Sequence, residues 1–165
     1  MSKPYKVVFL CTGNSARSIL GEYLLRQIGG AQFVTFSAGS FPTGTVNPFA
    51  VEVLRETYKI DASGARSKSR EEFEGTAFDF VITVCDNARE ACPIWPGQAV
   101  VAHWGLPDPA ATKGSDEEIK RAFQSTASEL RRRIELFTAL PLDLMDQASL
   151  VQSVNEIGMD HEHER

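Results

Sequence analysis

With 165 residues and 42% hydrophobic content the chain can bury a single core as one domain, and no apolar run approaches the roughly 20 residues that a membrane helix needs. Its formal net charge of −5 and the lack of a basic stripe exclude a nucleic-acid backbone as partner, so an anionic ligand must be held by a local cradle. Three cysteines are odd in number and too few for a secreted disulfide framework, and MSKPYK holds no apolar signal segment, so a soluble cytoplasmic protein is expected.

The first apolar run, Val7 to Leu10, reads as a buried strand. It gives way to Cys11-Thr12-Gly13-Asn14-Ser15-Ala16-Arg17-Ser18, after which Ile19, Leu20, Tyr23, Leu24 and Ile28 recur at helical spacing. A loop of small, turn-forming residues between strand and helix lets successive N–H groups turn inward, and the helix adds the positive end of its dipole. That is a cradle for a tetrahedral oxyanion. Cys11 opens it and Arg17 closes it. A thiolate at Cys11, held by N–H dipoles, the Arg17 charge and the Ser18 hydroxyl, would act as a nucleophile near neutral pH. Arg17 offers a planar fork for two equatorial oxygens of the anion. Gly13 and Asn14 are residue types that tolerate a left-handed or strained backbone. The bland alternative is that Cys11 is a small buried hydrophobe at a strand end.

Phe33 to Ala38 reads as the next strand, ending at Gly39, and Phe41-Pro42-Thr43-Gly44 as a turn. Pro48 to Tyr58 is a helix with Phe49, Val53 and Leu54 on one face. Asp61 to Arg70 has no apolar pattern and reads as a loop, with Ser69 capping a short turn. Phe78 to Val84 is the most hydrophobic strand and should be central; Gln98 to Ala102, after Pro93 and Pro96, is another.

Cys85 follows the central strand and should share a sheet edge with Cys11. Cys92 lies seven residues on, about 10 Å away if Asn87 to Ala91 is helical, whereas a disulfide needs Cα atoms within about 7 Å. A Cys85–Cys92 bond would require that segment to unwind. Two readings stay open: both cysteines pack in the core, or three thiols pass oxidation from Cys11 through Cys85 to Cys92.

In His103-Trp104-Gly105-Leu106-Pro107-Asp108-Pro109 an aspartate is fixed between two prolines, and its carboxylic acid could protonate a leaving oxygen. Asp-Pro is also an ordinary turn. His103 is read as a structural or interface residue. A long helix should run from about Ser115 to Phe137, with Ile119, Phe123, Leu130, Ile134 and Phe137 as its stripe and Pro141 beyond its end. Leu144 to Ile157 suggests one more amphipathic element, with Met145, Leu150, Val151, Val154 and Ile157 inward, followed by a charged, frayed tail from Gly158. His161 and His163 in that tail are read as solvated, and no metal is predicted. Strands alternating with helices imply a three-layer α/β fold, a mainly parallel four-stranded sheet with helices on both faces.

Together CTGNSARS, VCDNAREACPIWP and HWGLPDPA, in that order, resemble the arsenate reductases built on the low-molecular-weight protein tyrosine phosphatase fold. The resemblance spans about Tyr5 to Phe137. It implies that residues 1–140 form the reductase domain and 141–165 an extension, partly helical with a disordered charged tail. It further implies that Cys11 attacks arsenate while Arg17 holds the oxygens and Asp108 protonates departing hydroxide. Cys85 then attacks Cys11, Cys92 resolves the bond, and thioredoxin, or glutaredoxin with glutathione, supplies electrons; no bound cofactor is implied. Phosphate should compete with arsenate. Some members hold potassium near positions matching Asn14, Glu22 and Ser37, but Ser67-Lys68 departs from their pattern, a fixed ammonium could replace the ion, and no potassium is predicted. Ala16 stands where many relatives carry a further cysteine. The alternative is a phosphatase that hydrolyses phosphate monoesters through a cysteinyl-phosphate, which would leave Cys85 and Cys92 without a role.

Overall fold

The computed structural model describes residues 3–85 and 99–163. Four strands, β1 (Tyr5–Cys11), β2 (Phe33–Gly39), β3 (Phe80–Thr83) and β4 (Val100–His103), form one sheet in the order β2-β1-β3-β4. All three pairings are parallel, with Tyr5 opposite Phe33, Val7 opposite Phe80, and Phe80 opposite Val100. Helices α1 (Arg17–Gly29), α2 (Pro48–Tyr58), α3 (Asp116–Thr138) and α4 (Gln147–His163) accompany the strands. This is the parallel α/β sheet expected from the alternation.

Val7, Val8, Phe9 and Leu10 are all buried, as a strand covered on both faces requires. On one face Phe9 lies under α1, so close that a Cβ on Gly21 would come within 2.7 Å of its ring. Phe33 and Phe80 on that face meet Phe137 of α3 edge-on or tilted at 5.5 and 5.0 Å. Phe36, on the other face, packs on Phe73 of the 3-10 turn Arg70–Phe73 and on Phe78.

Local chemistry sets the ends. Asn47 caps α2 ahead of Pro48, Ser69 caps the short turn as expected, and Ser115 with Glu118 closes a capping box on α3. β3 is shorter than the apolar run Phe78–Val84, although Asp79 and Val84 still donate to the Lys6 and Leu10 carbonyls of β1. β4 begins at Val100, with Ala99 ahead of it outside the strand, and Gln98, where the strand was expected to start, lies outside the described residues.

α4 departs from the expected pattern in two ways. Val154 and Ile157 are buried, but Val151 is 40% exposed, because it sits about 100° around the helix from Leu150. The helix also continues past Gly158 to His163 instead of fraying there, since Gly158 is where its backbone presses on His103 and Trp104. Among the described residues no helix is long and apolar enough to cross a membrane.

Candidate active site

Cys11 is the last residue of β1 and Arg17 the first of α1, so the loop between them lies at the carboxyl end of a central strand. Its carbonyls are taken up from outside. The N–H groups of Ser40, Phe41, Thr43 and Asn47 donate to the carbonyls of Cys11, Thr12, Gly13 and Ser15. Ser67 Oγ also donates to Gly13 O at 3.0 Å. With the carbonyls tied to the 40–47 segment, the loop is free to present N–H groups to the cleft. Ala16, at the cap position ahead of α1, offers no side-chain cap and no acidic residue follows in the first turn, which leaves that helix end suited to an anion.

The sulfur of Cys11 receives two contacts from below: Asn14 N–H donates at 3.2 Å, and Ser18 Oγ lies 3.0 Å away. Donor bookkeeping fixes which way that last bond runs. The Lys68 N–H (2.8 Å) and ammonium (3.4 Å) can only donate, so they must face Asn14 Oδ1. Asn14 Nδ2 then donates to Ser18 Oγ at 2.8 Å, and the hydroxyl hydrogen is left for the sulfur. Two donors on a sulfur suit a thiolate, which accepts and cannot donate. Asn14 reaches this position with φ 46°, in the left-handed region that asparagine tolerates.

Lys68 is buried and also donates to Ser37 Oγ at 3.1 Å and Arg66 O at 2.9 Å, with Glu22 Oε1 at 3.8 Å. Burial pushes its pKa down and the Glu22 carboxylate pulls part of that back. Glu22 is held by Ser37 Oγ at 2.6 Å and Arg26 at 2.7 Å.

Opposite the loop stand Cys85 and Asp108. Cys85 follows β3 by two residues; its Sγ is buried, 3.4 Å from Thr12 Oγ1, in the wall of the cleft that Cys11 also lines. That cleft encloses about 560 Å³ and is bounded by Cys11, Thr12, Arg17, Thr43, Cys85 and Asp108 among others. Asp108 caps a short turn by accepting from Ala110 N–H at 3.0 Å, while its other oxygen lies 3.7 Å from Arg17 Nη2. Arg17 Nη1 donates to Leu106 O at 2.9 Å. One guanidinium therefore ties the anion loop to the loop bearing the carboxylate.

The structure thus brings Cys11, Thr12, Gly13, Ser15, Ala16, Arg17, Cys85 and Asp108 around one cleft. Asn14 and Ser18 sit beneath it as fully buried supports. Cys92, with the stretch between it and Cys85, lies outside the described residues. His103 is half-buried, its Nδ1 2.8 Å from Thr83 Oγ1, on the strand and away from the cleft lining. Thr43, the Leu106 carbonyl and the Ser67 hydroxyl were not legible in advance, because each acts through a position the fold brings in from afar.

Residues 6–144 match the family model described as low molecular weight phosphotyrosine protein phosphatase. The arsenate reductase of Oceanobacillus iheyensis is 36% identical over 131 residues, 79% of this chain and 93% of that protein. That of Bacillus subtilis is 36% identical over the same shares. A thioredoxin-dependent arsenate reductase of Corynebacterium glutamicum has a similar structure, with a TM-score of 0.59 at 29% identity, covering 82% of this chain and 64% of that chain. A low molecular weight protein tyrosine phosphatase from T. tengcongensis gives 0.65 at 28%, covering 79% and 95%.

Proposed function

We propose that this chain, which belongs to the low molecular weight phosphotyrosine protein phosphatase family, reduces arsenate to arsenite. The observation that carries the reading is Cys85, a second buried thiol in the wall of the Cys11 cleft. Hydrolysis through a cysteinyl-phosphate has no use for it; a redox step does.

In the reaction, Thr12 to Ser18 cradle the oxyanion and Arg17 exchanges its Leu106 and Asp108 contacts for two substrate oxygens. The Cys11 thiolate attacks arsenic, forming a sulfur–arsenic bond while one hydroxyl leaves as water with a proton from Asp108. The Cys85 thiolate next attacks Cys11 Sγ. A sulfur–sulfur bond forms, and the sulfur–arsenic pair stays on arsenic, which passes from As(V) to As(III) and departs as arsenite. Cys92 attacks Cys85 and frees Cys11. An external dithiol of thioredoxin type, or glutaredoxin with glutathione, reduces the Cys85–Cys92 bond. We assign this chemistry to residues 1–140 and treat 141–165 as an extension.

Potassium has no part in this scheme. The oxygens of Asn14 and Ser37 that would face the ion already accept from Lys68 Nζ, with Glu22 Oε1 beside it.

The test is arsenate-dependent NADPH oxidation with thioredoxin and thioredoxin reductase, beside hydrolysis of an aryl phosphate. Cys11→Ser should abolish both activities. Cys85→Ser and Cys92→Ser should each stop multiple turnover with arsenate and spare any phosphatase activity. Full thioredoxin-coupled turnover by Cys92→Ser would reject the three-thiol relay; efficient ester hydrolysis with no arsenate turnover under either reductant would reject the reductase.

A further inference from the structure

The family match ends at residue 144, and α4 lies wholly beyond it. Its contacts converge on the last residues before the Asp108 loop. In parallel pairing, Val100 and Trp104 turn their N–H groups to β3, so the Val101 carbonyl and His103 N–H point out from the open edge of the sheet. The Asn155 carboxamide meets both: Oδ1 accepts from His103 N–H at 3.2 Å and Nδ2 donates to Val101 O at 3.1 Å. One side chain thereby stands in for a neighbouring strand. Trp104, fully buried, donates its indole N–H to Val154 O at 2.8 Å. Gly158 lets the helix backbone touch the strand end, where a Cβ would lie 2.4 Å from His103 O and 2.7 Å from Trp104 Cδ1.

Immediately downstream, the loop is gripped again. Arg133 of α3, also fully buried and held by Glu129 at 2.8 Å, donates to Gly105 O at 3.4 Å; Leu106 N–H donates to Val84 O at 3.1 Å, and Leu106 O accepts from Arg17 at 2.9 Å. The start of the Asp108 loop is therefore fixed from one side by α4 and from the other by α3 and Arg17.

We propose that α4 is a positioning element for the reaction, with Asn155 its key residue, holding residues 101–104 so that the loop from Leu106 to Asp108 stays in the wall of the Cys11 cleft and the Asp108 carboxyl can reach the leaving oxygen. This rests on the reductase reading through the role of Asp108. Asn155 touches neither substrate nor reacting atoms and acts through the strand.

The experiment compares Asn155→Ala, Asp108→Asn and the double variant in arsenate turnover, with Cys11 alkylation and amide exchange at Trp104 and Leu106 measured on the same proteins. Asp108→Asn should lose about a hundredfold in kcat, the scale of a lost general acid. Asn155→Ala should lose about tenfold in kcat with KM within about twofold, and the double variant should be no slower than Asp108→Asn, because both changes disable one device. Alkylation of Cys11 should match the wild type, while exchange at Trp104 and Leu106 quickens. Asn155→Asp, which keeps the acceptor and loses the donor, serves if the alanine variant does not fold. Multiplicative losses in the double variant, or unaltered exchange at the two amides, would overturn the proposal. An Asp108→Asn enzyme as fast as wild type would instead reject the acid role, and amide exchange alone would then decide whether α4 holds the loop.

Discussion

Lys68 sets the direction of the side-chain hydrogen bonds beneath Cys11, because neither its main-chain N–H nor its ammonium can accept: Asn14 must turn its oxygen to them, and Ser18 is left to donate to the sulfur. Ser18→Ala removes that donor and leaves Asn14 and Lys68 in place. The thiolate then loses a charge-assisted bond worth about 1.5–3 kcal/mol, so Cys11 alkylation at neutral pH should slow by about tenfold or more. The wild type should turn over arsenate equally well in sodium and potassium chloride, since the ammonium already stands among the oxygens; a several-fold rise in potassium would contradict that. Burial sets the pKa of Lys68 below its ordinary 10.5, so the unfolded chain binds this proton more tightly than the folded one. Its contribution to stability therefore rises with pH up to about 10.5 and falls as pH drops through the folded value. Urea unfolding of wild type and Lys68→Met should show their stability difference changing in favour of the wild type as pH climbs toward 10.5. A difference that does not vary with pH would mean that the buried charge is not what the site bears.

At the level of elements, the junction of β2 with the anion loop is the tightest place near the cleft. A Cβ on Gly39 would fall 2.5 Å from Thr12 O and 3.0 Å from Asn14 N, both backbone, so nothing flexible can yield. Gly39→Ala should shift the loop by a fraction of an ångström, enough to cost up to about a hundredfold in kcat/KM for arsenate; it should lower Tm only modestly, which assay and thermal melt together would check. Such a constraint is invisible to sequence periodicity, and it marks what could and could not be foreseen. β2 and α2 have the ends that sequence signals give them, because Gly39, Asn47 and Pro48 are punctuation whose effect is local. The nucleophile loop was legible for the same reason: strand, cradle and helix are contiguous in the chain. The ends of β3 depend on where its neighbours stop, and the exposure of Val151 on which side of α4 meets β4. Those are tertiary facts. So is the role of the segment from Ser40 to Asn47, of which Phe41 to Gly44 reads from sequence as a turn and which in the fold takes up four carbonyls of the cradle.

At the scale of the whole molecule, a contact joins the start of β1 to the last residues of the family-matched region: the Tyr5 hydroxyl donates to Asp143, 138 residues away. The bond exists only while tyrosine keeps its proton, and Asp143 raises the Tyr5 pKa from 10.0 to about 12, first through that hydrogen bond and then through burial and its charge. The sign follows from the protonated form being favoured on folding. Below pH 10 the contribution to stability is fully present; between pH 10 and about 12 the unfolded chain has lost its proton while the folded chain still holds it, and the contribution drains away. Tyr5→Phe should therefore lower Tm at neutral pH, and its deficit against the wild type should shrink as pH rises through that window and vanish near its top. Tyr58, raised by burial, titrates late as well, so the ultraviolet difference titration of wild type minus Tyr5→Phe is what isolates Tyr5. A difference curve centred near pH 10, or a Tm deficit that stays constant above pH 10, would mean that Tyr5 contributes through its packing against Phe33 and Phe80 rather than through its hydroxyl.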